Sequence, residues 1–269
     1  MERRNASLLA GGLLVVLVAL AAVLGPGLVG GDPFRMDLAR SLAAPAPGHW
    51  LGCDVLGRDL LARLVAGARL SLGVATAVVG FSLLFGSIAG GLAGVLGAAA
   101  DAAIMRLVDV LLAFPGFLLA LGLVAVLGPG LPQLVVALTA MGWTGYARLV
   151  RGELLSLRER EYVVAARALG ARTGRLLFVH LLPALLGPLM VQASFGFGGI
   201  IVAEAGLSFL GLGVPPPAPS WGSLLDSGRA FLLVAPRLST APALAIGLSV
   251  LGFNLLGDGL ARRFGLRSD

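Results

Sequence analysis

Residues 70–96 read LSLGVATAVVGFSLLFGSIAGGLAGVL, a run of apolar and small residues without a single charged side chain. About 20 such residues are enough to cross the hydrocarbon core of a bilayer as an α-helix. Five further stretches have the same character: residues 7–29, 104–127, 132–150, 181–202 and 238–260. The sequence therefore predicts an all-α, polytopic membrane protein with about six transmembrane helices.

The composition of the 269-residue chain agrees with this fold class. It is 58% hydrophobic and 13% charged, whereas soluble domains are about 45–50% apolar and 25% charged. All basic residues are arginines, and they lie between the apolar runs instead of forming one surface stripe. We therefore expect them to orient the chain in a membrane, and we expect no nucleic-acid binding. A single cysteine, with two histidines on opposite sides of the predicted membrane, also predicts no metal site.

The arginines predict the orientation of the chain. Cytoplasmic loops of membrane proteins carry an excess of Arg and Lys. The densest set of arginines lies in residues 151–180, a polar segment between two apolar stretches. With this segment in the cytoplasm, both chain termini are cytoplasmic as well. The protein is expected to lie in the cytoplasmic (inner) membrane of the cell and to cross it several times. Residues 7–29 follow Arg3 and Arg4 like a secretory signal, but they are long enough to span, so we expect them to be retained.

The segment 151–180 has the pattern of a docking helix. Residues after Arg158 favour helix, and Gly170 stands where a helix can end in a left-handed residue. Glu161 and Ala165 share a helical face with two further residues near its end. A short helix of this kind can lie in a groove of another protein. The predicted contact residues are Glu161, Tyr162, Ala165, Ala166, Ala168, Leu169 and Gly170.

The segment contains Ala165 and Ala166, and Gly170 follows four residues after the second alanine. A Leu-Pro pair, Leu182 and Pro183, stands just beyond the segment. This arrangement resembles the cytoplasmic Glu-Ala-Ala motif of ABC importer permeases. The glutamate of the motif would fall on Val164, so we expect no glutamate-specific contact there. The docking helix as a whole is still predicted.

Four other segments carry a related resemblance: residues 49–59 (HWLGCDVLGRD), 105–115 (MRLVDVLLAFP), 207–222 and 253–258 (FNLLGD). Their order and spacing are similar to those of the dipeptide, oligopeptide and nickel permeases, and in particular to the second, C-type permease of each pair. The resemblance implies a type I ABC importer permease. It divides the chain into a first transmembrane helix with an outer loop, residues 1–69, and a transmembrane domain, residues 70–269, with its coupling loop at 151–180.

The same resemblance implies the partners. They are a homologous permease subunit, two ATP-binding subunits and an extracytoplasmic solute-binding protein. A chain without lysine cannot contain the phosphate-binding Gly-x-x-x-x-Gly-Lys-[Ser/Thr] loop, so ATP hydrolysis is expected on separate subunits. We expect no catalytic residue and no cofactor in this chain. Peptides are the substrate class implied first, and nickel or another small solute is the alternative.

Six further residues are candidates for structural or gating roles: Arg106, Asp109, Pro115, Pro183, Asn254 and Asp258. Arg106 and Asp109, spaced i, i+3, are expected to form an ion pair on one helix. Pro115 is expected to kink the third span. Asn254 and Asp258 lie one turn apart in the last span, where we expect structural anchoring.

Residues 57–72 have an apolar side formed by four leucine and valine residues and an alanine, with arginines elsewhere. This pattern predicts a segment that lies along the outer membrane interface before the second span begins.

Two other functions are weighed against the permease. An intramembrane hydrolase needs a nucleophile and a base within reach of one another, and no nucleophile motif surrounds Ser194 or Ser208. A secondary transporter commonly uses charged residues near the membrane midplane. The spans here are poor in central charge.

Overall fold

Helices make up almost all of the regular structure in the computed structural model, which describes residues 2–171 and 173–266. In chain order the helices are α1 (Glu2–Val29), α2 (Leu60–Val95), α3 (Ala98–Leu112), α4 (Gly116–Leu127), α5 (Leu131–Leu157), α6 (Glu161–Ala168), α7 (Thr173–Arg175), α8 (Leu182–Phe209), α9 (Trp221–Arg229) and α10 (Arg237–Arg263). A π-helical turn at Leu176–Leu181 joins α7 to α8, and a short 3₁₀ turn lies at Leu38–Arg40. The predicted all-α class is confirmed.

Four helices of the described chain are long and apolar enough to cross a membrane: α1, α2, α8 and α10. α3 and α4 are long and apolar enough only as a pair, which is bent by 85° at a short break; counted together they make a fifth, broken span. α5 contains the expected span 132–150 and has 27 residues. It is less apolar, since two arginines lie in its second half. The six predicted stretches therefore correspond to four continuous spans, one broken span and the long helix α5.

The start of α1 and the end of α10 lie at the same end of the bundle. Arg262, in the last turn of α10, donates a hydrogen bond to the hydroxyl of Ser7 in α1. α6 is at this end too, because Val163 lines a common cavity with Gly94 near the end of α2. We call this the α6 end of the bundle.

The opposite end carries residues 30–59 and α9, and we call it the α9 end. Arg237, the first residue of α10, donates hydrogen bonds to the carbonyl oxygens of Leu42 and Ala43, both at 2.9 Å. These bonds fold residues 30–59 back onto the start of α10.

Residues 30–59 are held to α2 by buried charged groups. The carboxylate of Asp54 accepts a hydrogen bond from Arg58 Nε at 2.7 Å, and Arg63 Nε lies 3.4 Å from the same carboxylate. The side chains of all three residues are buried. His49 Nδ1 lies 2.7 Å from the carboxylate of Asp59, the residue that caps the N-terminus of α2. Because buried charges are tolerated only when they are paired, these contacts fix the loop on the bundle.

The prediction that residues 57–72 lie along the membrane interface is wrong. α2 runs from Leu60 without a break, and its apolar side is covered by protein. Leu60 packs with Leu238 of α10, and Ala68 packs with Trp221 of α9. The pattern of one segment indicates that a face is apolar, but it does not reveal that two later helices cover that face.

α2 and α5 approach each other closely in the centre of the bundle. A Cβ atom added at Gly86 would lie 2.5 Å from the carbonyl oxygen of Trp143, and one at Gly90 would lie 2.4 Å from that of Ala147. Small residues at such positions let membrane helices pack backbone to backbone. This contact fixes α5, and with it the chain that leads into α6.

Candidate coupling helix at the α6 end

α6 ends in a hydrogen-bonded turn at Gly170. The backbone N–H of Gly170 donates to the carbonyl of Arg167, and the N–H of Ala171 donates to that of Ala166, both at 3.0 Å. Gly170 has a φ of 83°. This pair of bonds and the left-handed glycine define a Schellman ending. The helix end predicted at Gly170 is therefore confirmed.

Most of α6 faces away from the bundle. Leu169 is 90% exposed, and Val164, at the position of the absent motif glutamate, is 53% exposed. The exposed members of the predicted contact set are Glu161, Tyr162, Ala165, Ala168, Leu169 and Gly170. At the end of the molecule they form an exposed surface of small and apolar groups together with the carboxylate of Glu161 and the phenol of Tyr162.

Ala166 differs from the rest of the predicted set, because it packs against the bundle. It shares this inner face with Val163, which is completely buried. The buried cluster around Val163 joins α5, the π-helical turn and α8. Its other members are Tyr146, Val150, Leu154, Leu157, Leu176, Leu181, Leu185 and Leu189. The inner face of α6 therefore contacts two long helices directly.

A cavity of about 330 Å³ lies beside this cluster. Gly94 and Val95 line it from the end of α2, and Arg158, Val163 and Arg167 line it from the coupling segment. α6 thus packs tightly toward α5 and α8, while open volume separates it from the end of α2.

Exposed arginines surround α6. Arg158, Arg160, Arg167 and Arg175 are all exposed, and the exposed carboxylates nearby are those of Glu159 and Glu161. The surface is positively charged on balance, so it favours a partner with acidic groups.

The structure gives Asp109 a different partner from the predicted one. Its carboxylate accepts a hydrogen bond at 2.6 Å from Arg148 of α5, not from Arg106 of its own helix. Arg106 is exposed on α3. The i, i+3 rule considers only neighbours on one helix, and here a long arginine on the adjacent helix reaches the carboxylate instead.

A second pair joins the same two helices. Arg151 donates from Nε and Nη2 to the two carboxylate oxygens of Asp101, the second bond at 2.6 Å. Such bidentate pairs add geometric specificity to the attraction. This ion pair therefore holds α3 against α5 close to α6.

The two candidate prolines mark helix boundaries. Pro115 precedes the first residue of α4, at the 85° bend between α3 and α4, so the predicted kink is confirmed. Pro183 lies in the first turn of α8. Proline is favoured in a first turn, because its missing N–H has no partner there.

Asn254 and Asp258 lie on α10 as expected. The Oδ1 atom of Asn254 faces Gly198 of α8, 3.3 Å from where a Cβ atom would stand. Asp258 is half-buried one turn later. Asn254 is exposed overall, and its amide oxygen is the part that lies beside α8.

Val163 and Asp101 are two residues of this site for which the sequence predicts no role. Val163 precedes Ala166 by three residues, a spacing that indicates a second, inward face. Asp101 carries a charge within an otherwise apolar region before the third span. A charge at such a position indicates a partner on another helix.

A polytopic helical bundle with an exposed helix that carries Ala165, Ala166 and Gly170 agrees with the class of membrane transport permeases that the motif predicts. Residues 82–268 match the family described as "Binding-protein-dependent transport system inner membrane component". The chain is 41% identical to the dipeptide transport system permease protein DppC of Alkalihalophilus pseudofirmus, a match that covers 96% of this chain and 85% of that protein. It is also 40% identical to the nickel transport system permease protein NikC of Escherichia coli, over 92% and 90% of the two chains.

A solved structure of the MetNI methionine ABC transporter in inward-facing conformations has a similar fold. The TM-score is 0.60 at 20% identity, and the match covers 75% of this chain and 95% of the other. The chain belongs to the binding-protein-dependent transport system inner membrane component family, and it is a multi-pass permease subunit of an ABC importer with the type I fold.

Proposed function

We propose that α6 is the coupling helix of this permease, which receives the motion of a separate ATPase subunit and passes it to the membrane bundle. The observation that carries the proposal is the two-sided character of α6. Its outer face is exposed, and Val163 on its inner face is buried against α5 and α8. A helix of this kind can dock in a groove and still move the bundle as one body.

The complete machine has four further parts in this proposal. A homologous permease completes the pore, two ATP-binding subunits bind at the α6 ends, and an extracytoplasmic solute-binding protein delivers the substrate at the α9 end. ATP hydrolysis belongs to the ATP-binding subunits. The family membership and the exposed, arginine-rich α6 surface support this arrangement.

The α6 end faces the cytoplasm in this proposal, and both chain termini therefore lie inside. The arginine excess of residues 151–180 supports this orientation. The hydrogen bond between Arg262 and Ser7 keeps the two termini together.

Peptides are the proposed substrate. Similar proteins are named as dipeptide, glutathione and oligopeptide permeases, at 41%, 42% and 39% identity. Nickel is the second candidate, because a nickel permease is 40% identical. Uptake assays with labelled dipeptides and with ⁶³Ni²⁺, each with the cognate solute-binding protein, distinguish the two.

The coupling proposal is tested by placing a bulky side chain on the outer face of α6. Ala165→Trp and Ala168→Trp change exposed positions, so the bundle should keep its stability. We expect the purified permease to lose co-purifying ATPase and to lose most of its uptake, because a bulky indole prevents docking in a fitted groove.

Ala230→Trp is the matched control. Ala230 is an exposed alanine at the other end of the molecule, next to α9, and its substitution should leave co-purification of the ATPase intact. Full ATPase binding and uptake in both α6 variants would refute the proposal.

A further inference from the structure

A buried glutamate connects three helices at the α9 end. Glu204, near the end of α8, is completely buried. One of its carboxylate oxygens accepts a hydrogen bond from Ser208 Oγ at 2.7 Å, and the other accepts one from Ser71 Oγ of α2 at 2.9 Å. The hydroxyl of Ser220, which caps α9, also faces the carboxylate. Glu204 is thus the centre of a polar cluster of α2, α8 and α9.

The start of α9 is tied into this cluster by its backbone. The N–H of Trp221 donates to Ser71 Oγ at 3.2 Å, so Ser71 links the first residue of α9 to the carboxylate. The first turn of a helix carries unpaired N–H groups and a partial positive charge, which favour a nearby carboxylate. Trp221 Nε1 donates in addition to the carbonyl of Leu64 in α2 at 3.1 Å.

α9 presses directly on α8 next to Glu204. A Cβ atom added at Gly222 would lie 2.5 Å from the carbonyl oxygen of Ala205 and 2.7 Å from Ser208 Cβ. The first turn of α9 therefore has no room to shift against α8 while the polar cluster is intact.

α8 also carries the contact to the coupling helix at its other end. Leu185 and Leu189 of α8 pack in the cluster that buries Val163 of α6. α8 has 28 residues, which corresponds to about 42 Å at 1.5 Å per residue. One helix therefore joins the coupling contact at one end to the Glu204 cluster at the other.

A carboxylate buried inside a membrane helix bundle costs free energy, and such a residue is therefore a candidate for a functional role. We propose that Glu204 is a positioning residue of transport: it fastens α9 to the end of α8, so that contact of the solute-binding protein with the α9 end is transmitted to α6. This inference rests on the proposed coupling role of α6. By linkage, ATP binding that shifts α6 would then also change the affinity of the α9 end for the solute-binding protein.

The test uses the complete transporter reconstituted in proteoliposomes, with both permeases, the ATPases and the solute-binding protein. The measured quantity is the ratio of ATPase activity with the loaded solute-binding protein to activity without it. Glu204→Leu removes both acceptor oxygens, and we expect the ratio to fall by about fivefold or more, the lower range of allosteric coupling. Glu204→Gln keeps the volume and one acceptor oxygen and should restore a substantial part of the ratio.

Two serines of α8 provide a matched pair that does not depend on Glu204→Leu folding. Ser208→Ala removes one hydrogen bond to the carboxylate and should lower the ratio by about twofold. Ser194→Ala is the control, since Ser194 is equally buried on α8 but donates only to the carbonyl of Met190 in its own helix. The ratio for Ser194→Ala should equal that of the unmodified transporter.

The outcomes separate this inference from the coupling proposal. If Glu204→Leu and Ser208→Ala lower the thermal stability but keep the full ratio, Glu204 has a purely structural role and the inference is overturned. In that case Ala165→Trp still removes the stimulation of ATPase activity by the loaded solute-binding protein if α6 couples to the ATPase. If Ala165→Trp also keeps the full ratio, the coupling proposal fails together with this inference.

Discussion

At the scale of single residues, two neighbouring valines have opposite environments. Val163 is completely buried in the cluster of α5 and α8, whereas Val164 is 53% exposed. The exposed face around Val164 could be predicted from helical spacing and from the motif. The burial of Val163 could not, because it depends on leucines from α5 and α8 that are distant in the sequence. For the same reason, helical spacing predicts Arg106 and not Arg148 as the partner of Asp109.

Cys53, the single cysteine of the chain, is predicted to be unreactive in the folded protein. It is completely buried, and burial raises the pKa of its thiol. Because the thiolate is the nucleophile, we expect alkylation by iodoacetamide at pH 8 to be at least about tenfold slower in the native protein than in denaturant. Mass spectrometry of the labelled chain provides the rates. Similar rates in the two states would mean that residues 30–59 do not fold onto the bundle as described.

The stability of the contact between α3 and α5 is predicted to depend more on Asp101 than on Asp109. Asp101 receives two hydrogen bonds from Arg151 and is 24% exposed, while Asp109 receives one from Arg148 and is 59% exposed. Bidentate pairs are stronger than exposed single contacts. In detergent, Asp101→Asn should therefore lower Tm about twice as far as Asp109→Asn. The reverse order, or no change for Asp101→Asn, would contradict the geometry.

At the scale of elements, α6 was the most predictable part of the functional site. Its C-terminal boundary follows from one glycine, because only a residue that adopts positive φ easily can end the helix in this way. The position of α2 was less predictable. Its first ten residues have an amphipathic pattern that suits a membrane surface as well as a protein interior. Only the packing of α9 and α10 on that face decides between the two.

The ending of α6 is predicted to depend on the backbone conformation of Gly170. Its φ is 83°, yet a Cβ atom there would meet nothing within 4 Å. A left-handed conformation costs residues with a Cβ about 1–2 kcal/mol. Gly170→Val should therefore loosen α6 and speed tryptic cleavage at Arg167 by about tenfold, while Gly170→Asn should do so less.

Gly152 supplies the control for this prediction. It lies within α5, its added Cβ would also meet open space, and its φ is not positive. Gly152→Ala should leave cleavage at Arg167 unchanged or slow it, since alanine favours helix. Equal acceleration by both substitutions would show that added bulk, and not the φ angle, is responsible.

At the scale of the whole molecule, the sequence predicts the membrane fold, because apolar length alone decides that a helix spans. It does not predict which helices touch. The packing of α2 on α5 through Gly86 and Gly90 is known only from the folded chain. The same holds for the cluster around Glu204, whose serines come from residues 71 and 208. Contacts of this kind, between residues distant in the sequence, determine how the spans pack into one bundle with two different ends.

The most direct test of the account is photo-cross-linking from the α6 end in the assembled transporter. A benzophenone side chain replaces Leu169, which is 90% exposed beside α6, or Leu233, which is fully exposed at the α9 end. The account predicts that the probe at Leu169 cross-links to the ATP-binding subunit and that the probe at Leu233 does not. Absence of any ATPase product from Leu169, or an equal yield from Leu233, would contradict the claim that α6 is the coupling helix.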